Sequence, residues 1–192
     1  MQRLSAVVLA SSLAAGCALA RTPPPDVYDV RAATQFEQTQ RTDAHLAVTE
    51  PTAVGALDSE RVVVRLTPTE ISFLGRAQWS DRLPRLVQRR LIESFQNSDR
   101  VGSVGPPGGA IVNDVGLVLD LRAFQVDVAQ NRAEVEFEAR IVSDDTGRVV
   151  ASRRFSATAP LSGSERADMI RALDTAFQQV AAEIVDWTLA RV

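Results

Sequence analysis

From Ala133 to Ile141 apolar and charged residues alternate without a break. Ala133, Val135, Phe137, Ala139 and Ile141 stand against Glu134, Glu136, Glu138 and Arg140. A period of two is that of a strand with one buried and one wet face, and such strands belong to antiparallel sheets. Val115, Leu117, Leu119 and Leu121 have the same period upstream, but from Phe124 the apolar set becomes Phe124, Val126 and Val128. A change of phase inside one strand predicts a β-bulge near Arg122-Ala123. Gln130-Asn131-Arg132 predicts the turn between these strands. Asp144-Asp145-Thr146-Gly147 predicts the turn into a third strand, Arg148 to Thr158.

Two stretches carry helical spacing instead. Leu83, Leu86, Val87, Leu91 and Phe95 form one apolar stripe, while Arg82, Arg85, Gln88 and Arg89 fall elsewhere on the surface. Ser80 is the expected N-cap, Pro84 fits the first turn, and Asn97-Ser98-Asp99 ends the helix. Ile170, Leu173, Phe177, Val180, Ala181, Ile184 and Trp187 recur every three or four residues, which predicts a last helix running to about Leu189. Pro160 to Ser164 breaks the chain before it, and Ser162 with Glu165 has the form of a capping box.

The first part of the chain is less regular. Val27 to Val30 and His45 to Thr49 read as short strands, with Pro51 ending the second. Arg31 to Asp43 is polar and nearly aperiodic, a loop or frayed helix. Arg61 to Leu66 and Ile71 to Leu74 flank Thr67-Pro68-Thr69-Glu70 and predict a hairpin. The order strands, helix, strands, helix gives an α+β fold: an antiparallel sheet with two amphipathic helices packed on one face.

The N-terminus follows a different pattern. Arg3 precedes the apolar run Leu4 to Ala15, which is too short for a bilayer span of about 20 residues. A charged start, a short apolar core and small residues at the end make a secretory signal. Leu13-Ala14-Ala15-Gly16-Cys17 resembles a bacterial lipobox, with Ala14 where the usual Leu would stand and Leu13 one place further back. Ala18-Leu19-Ala20 offers a second cleavage site, which would release a free protein beginning at Arg21. The lipobox reading divides the chain into a signal peptide over 1–16, a lipid-anchored Cys17 with a Pro-rich tether over 17–26, and a folded domain over 27–192. Thr22-Pro23-Pro24-Pro25 is the stiff part of that tether. Ala at position 18 implies export to the outer membrane, as in lipoproteins similar to this one.

Composition narrows the function classes. The chain has 192 residues and a net charge of −3, and its 21 basic residues are all Arg. No basic stripe of the kind that binds nucleic acid is visible. One Cys and one His are too few for a Cys/His metal cluster, which takes about four ligands. His45 lies beside no Ser motif and reads as a surface or strand-end residue. Ser162-Gly163-Ser164 lacks the full nucleophile-elbow pattern. Asp144-Asp145 has too few companion oxygens for calcium and reads as a turn. Gly105-Pro106-Pro107-Gly108-Gly109 lacks the Gly-Lys-Ser/Thr ending of a phosphate loop. Glu134, Glu136 and Glu138 could pair with Arg153 or Arg154, but are expected on a solvated face. Trp79 and Trp187 read as core or half-buried anchors. No catalytic, cofactor-binding or metal residue emerges, and no cofactor is implied.

Leu57 to Arg65 followed by Arg76-Ala77-Gln78-Trp79-Ser80-Asp81-Arg82-Leu83-Pro84 resembles the ABC-type transport auxiliary lipoprotein family, the PqiC-like proteins. Their pattern is a hydrophobic strand pair, an A-x-W segment and a Leu-Pro that opens a helix. Leu119 to Phe124, Asp145 to Val150 and Ile184-Val185-Asp186-Trp187 match further pieces in order. The resemblance runs from about Tyr28 to the C-terminus. It implies a non-enzymatic accessory of an ABC/MCE-type system that moves phospholipid or other apolar molecules across the envelope. The implied partners are MCE-type and permease subunits, with the chain held by its lipid at the periplasmic face of the outer membrane. A homo-oligomer is compatible with this. Two other readings stay open: an outer-membrane structural or assembly lipoprotein unrelated to lipid traffic, and a secreted enzyme released after Ala20.

The lipobox reading predicts that Cys17 is acylated. Growth with labelled palmitate should label the protein, and the mature N-terminus should be a modified Cys17. An unlabelled chain beginning at Arg21 would overturn the lipoprotein reading.

Overall fold

A computed structural model describes residues 23–108 and 113–192. The signal segment and Cys17 lie outside the described residues. The elements in order are β1 (Asp26–Tyr28), β2 (His45–Val48), β3 (Thr52–Ala53), β4 (Arg61–Arg65), β5 (Ile71–Trp79), α1 (Leu83–Ser98), β6 (Ser103–Gly105), β7 (Val115–Asp127), β8 (Arg132–Ser143), β9 (Val149–Pro160) and α2 (Arg166–Leu189).

The fold is α+β, as the pattern of elements predicts, and all strands belong to one sheet. The sheet is mixed, however, not wholly antiparallel. β7–β8, β8–β9 and β4–β5 are antiparallel. β2, β3 and β4 each pair with β7 in parallel, β2 with β6, and β1 with β5. The antiparallel expectation came from alternation in a stretch joined to its neighbours by tight turns, where it holds. A parallel pair needs a long crossover, and α1 supplies one between β4 and β7. Local alternation carries no trace of it.

β7 is the centre of this arrangement. One edge pairs with β8 along its whole length, and the other meets β2, β3 and β4 in succession. The predicted bulge is present: Leu121 lies opposite Phe137 and Ala123 opposite Glu136, so Arg122 is the extra residue. Beyond it Phe124 faces Val135 and Val126 faces Ala133. The inserted residue therefore turns both onto the same face as Leu117, Leu119 and Leu121. Phe124 meets the Trp79 ring edge-on at 5.5 Å and the Phe177 ring at 5.9 Å. One aromatic thus joins the β4–β5 hairpin, β7 and α2.

Both turns behave as their residues suggest. Asn131 and Gly147 take positive φ, 50° and 65°, conformations that Asn and Gly tolerate better than most residues. Helix starts depart from expectation. The N-cap of α1 is Arg82 and not Ser80, and no side chain caps it. The Ser80 N–H donates to the Tyr28 carbonyl, which holds it in the sheet, and the Leu83 N–H donates to the Ser59 carbonyl at 3.0 Å. Pro84 follows and has no N–H to satisfy. At α2 the N-cap is Glu165, again without a side-chain cap, so the Ser162–Glu165 capping box does not form. The Ser162 hydroxyl lies three residues too early and bonds the Asp168 carboxylate at 3.3 Å.

The core is a single cluster in which α1 and α2 touch each other and pack on the sheet. Trp79 is buried and Trp187 is 4% exposed, edge-on to Phe155 at 5.4 Å. On the opposite sheet face Arg154 lies 3.6 Å from Glu136 and 3.5 Å from Glu138, and Glu134 accepts from Gln125. These glutamates are half-buried and paired, not simply solvated, because β9 places Arg154 directly across from Glu138.

Phe137 is fully buried. Phe137→Ala should cost about 3–5 kcal/mol, as large core truncations do. Glu136→Ala removes one arm of an ion pair whose arginine is largely exposed, and should stay within about 0.5 kcal/mol. Denaturant titration of both variants checks the register; equal losses would refute it.

Candidate functional site

The segment between β1 and β2 has no regular structure, yet it is fixed at every few residues. It lies across α1 and α2 as a strap. Asp29 accepts from Arg90 of α1 at 2.6 Å. Burial pushes the Asp29 carboxyl up, but hydrogen bonds and charge from Arg90, with the Val30 N–H, outweigh it and hold the carboxyl below its ordinary value of 3.8. The Ala33 N–H donates to Ser94 Oγ at 2.9 Å, and Asn97 Nδ2 donates back to the Ala33 carbonyl at 3.1 Å. Ser94 is fully buried beneath this contact.

Two aspartates of α2 hold the other side. Asp174, 6% exposed, accepts from the Arg31 backbone N–H at 2.7 Å, from Arg31 Nε at 2.9 Å and from Gln178 Nε2 at 2.9 Å. Hydrogen bonding and charge from Asp174 raise the Arg31 guanidinium above its ordinary range. Asp186 accepts from the Glu37 N–H at 2.8 Å and from Arg100 at 2.7 Å. Arg100 also donates to the Gln38 carbonyl. The Arg100–Asp186 pair is the more enclosed, with side chains 6% and 13% exposed. Twelve residues of helix separate the two aspartates, about 18 Å of rise. Arg31 to Glu37 can reach about 20 Å fully extended, so the strap has little slack. It then closes on the loop after α1, where a Cβ on Gly102 would strike the Asp43 carbonyl.

Beyond the Asp186 pin a cleft of about 850 Å³ opens between the strap, the last turns of α2 and β9. Phe36, Gln38, Arg153, Glu183, Trp187 and Arg191 are among its walls. The Arg153 guanidinium lies 4.7 Å from the Phe155 ring centre and that of Arg191 5.1 Å from Trp187. Stacked guanidiniums beside carboxylates and carbonyls can bind an extended or amphipathic partner by hydrogen bonds and apolar contact.

The residues weighed from sequence mostly lie elsewhere. Only Trp187 and Arg153 belong to the cleft. His45 begins β2, with Nδ1 2.7 Å from Ser103 Oγ, and Asp144 and Asp145 are exposed in their turn. Among the described residues no three His, Cys, Asp or Glu side chains are placed to hold a metal. No helix among them is long and apolar enough to cross a membrane. The strap pins were missed. The available signal was a pair of aspartates, Asp174 and Asp186, each beside residues of the apolar stripe of α2, but their partners are far away in sequence.

The sequence model described as the ABC-type transport auxiliary lipoprotein component matches residues 28–185, and the chain belongs to that family. A lipoprotein family implies a location in the cell envelope. An uncharacterized protein of Bradyrhizobium diazoefficiens is 36% identical over 170 residues, covering 86% of this chain. The match spans only 45% of that relative's length. A crystal structure from Xanthomonas campestris superposes with a TM-score of 0.79 at 29% identity, covering 86% of this chain and 95% of its own. A protein of Chlamydia trachomatis shares the fold at 10% identity, with a TM-score of 0.52 and 78% and 98% of the two chains covered.

Asp186→Ala would leave the Arg100 guanidinium enclosed without its carboxylate. Removing one partner of a buried pair costs about 3–5 kcal/mol. Limited proteolysis should then cut within residues 31–43 faster than it does in wild type. Asp99→Asn, which removes the charge from an exposed pair with Arg41 and tolerates the positive φ of 52° at that position, should leave both stability and cleavage unchanged.

Proposed function

We propose that this domain works by binding and not by catalysis, as a lipid-anchored accessory of an ABC/MCE-type system that moves phospholipid or other apolar molecules across the envelope. The observation that carries the reading is the family match, which spans the whole strap, α1, β9 and α2 as far as Val185; Asp186, Trp187 and Arg191 of the cleft lie just beyond it. The ATPase, permease and MCE subunits would be separate chains, and the chain itself would contribute a docking surface. The cleft suits that role: its stacked arginines and the Phe36 ring offer a partner segment both charge and apolar contact. Cys17 would hold the domain at the periplasmic face of the outer membrane, since more than one acyl chain gives stable attachment.

Deleting the gene should produce an envelope defect such as detergent sensitivity. Wild type should repair it, and Cys17→Ala behind an ordinary signal peptide should repair it poorly. Affinity purification from crosslinked envelope should recover MCE-type or permease subunits. Recovery of outer-membrane assembly proteins alone would favour a structural lipoprotein. Turnover of an ester, peptide or glycan substrate by the purified chain would replace the binding reading with an enzyme.

A further inference from the structure

The β4–β5 hairpin is poorly covered at its tip. Leu66 is 37% exposed and Ile71 43%. Val128, just past β7, is 39% exposed and donates its N–H to the Arg65 carbonyl, so all three ring one end of the sheet. Scattered apolar residues on a surface are ordinary, but three at one strand end are a patch. Behind the tip the hairpin carries Arg61, Arg65 and Arg76, with Glu70 its single carboxylate. No carboxylate among the described residues lies within ion-pair distance of those three arginines. Arg65 reaches the Pro68 carbonyl and Gln125, and Arg61 lies over the half-exposed Phe73 ring at 3.4 Å.

The direction of the chain supplies an independent observation. β1 pairs with β5 in parallel, Asp26 opposite Ala77 and Tyr28 opposite Trp79. The chain before Asp26 therefore leaves past Arg76 and along β5 toward the hairpin tip. Pro23, Pro24 and Pro25 are exposed on this path. Pro23 to Pro25 thus head toward the tip, where Arg65 stands beside the apolar side chains, with Arg76 and Arg61 further back along the same hairpin.

We infer that this hairpin end is a membrane-contact surface: Leu66, Ile71 and Val128 enter the interface of an anionic lipid surface while Arg61, Arg65 and Arg76 meet its phosphates. The inference rests on the anchored reading of Cys17, which brings this end close to lipid. Arginines near an anionic leaflet each strengthen association about fivefold, and the apolar tip adds shallow burial. With eight residues between Cys17 and Asp26, the anchor and the hairpin can reach the same membrane.

The test uses the full lipidated chain in vesicles, with Thr69→Cys at the hairpin tip labelled by an environment-sensitive fluorophore. Val150→Cys on β9, where Val150 is 55% exposed, is the control. In vesicles containing anionic phospholipid the tip label should shift to shorter wavelength and be quenched by spin-labelled lipid, and the β9 label should do neither. Leu66→Ser with Ile71→Ser, or glutamine at all three arginines, should return the tip label to its aqueous signal. A chain that floats with vesicles while its tip label stays aqueous overturns the contact and leaves the anchor intact. If mass spectrometry finds Cys17 unmodified, the anchored reading fails. The labelled tip of a Cys17→Ser chain, added to preformed anionic vesicles, then decides the contact by the same signals.

Discussion

The apolar face of β7 is continuous only because Arg122 adds one residue to that strand. In unbroken alternation Phe124 and Val126 would point to the face that carries Glu134, Glu136 and Glu138. A slip of one residue exchanges the faces of every side chain beyond it. The bulge performs that exchange once, where it is needed. Phe124 then stands under Trp79 and Phe177, and the hairpin, the last helix and the central strand share one core. The two halves of β7 also need different neighbours. The first is joined by β2 and β3, and the second by β4. The bulge lies where one set gives way to the other.

The strap depends on this core without belonging to its pattern. Its backbone forms no ladder, so its polar groups must find side chains or water. Ser94, Asn97, Asp174 and Asp186 supply them. Two of these are aspartates on a helix that is otherwise mostly buried, which would be costly to enclose without partners. Arg31 and Arg100 make the enclosure affordable, and the strap amides complete it.

What could be read from the chain alone was whatever depends on neighbours in sequence. The alternation from Val115 to Ile141, the phase change at Arg122, the turns at Asn131 and Gly147 and both helical stripes are local patterns, and each appears in the structure. β3 and β6, two and three residues long, are too short to show a period. The parallel pairings escaped because a crossover leaves no mark on alternation. The N-caps at Ser80 and Ser162 were misread because tertiary contacts hold those residues elsewhere. The strap's pins were hidden by distance: Arg31 and Asp174 are separated by 143 positions and Glu37 and Asp186 by 149. The cleft inherits that limit, since its walls come from the strap, β9 and the end of α2.

Helix α2 has 24 residues and is therefore about 36 Å long. Its first residue, Arg166, pairs with Asp26 where the chain enters the fold, and its last turns form a wall of the cleft. The helix is thus a spacer as well as a core element. It sets a fixed stand-off between the point of entry and the cleft, and the strap is pinned at two places along it. Inserting a turn of α2 between Asp174 and Asp186 would lengthen the distance between these pins beyond the reach of the strap, so the cleft's position and the strap's length are coupled.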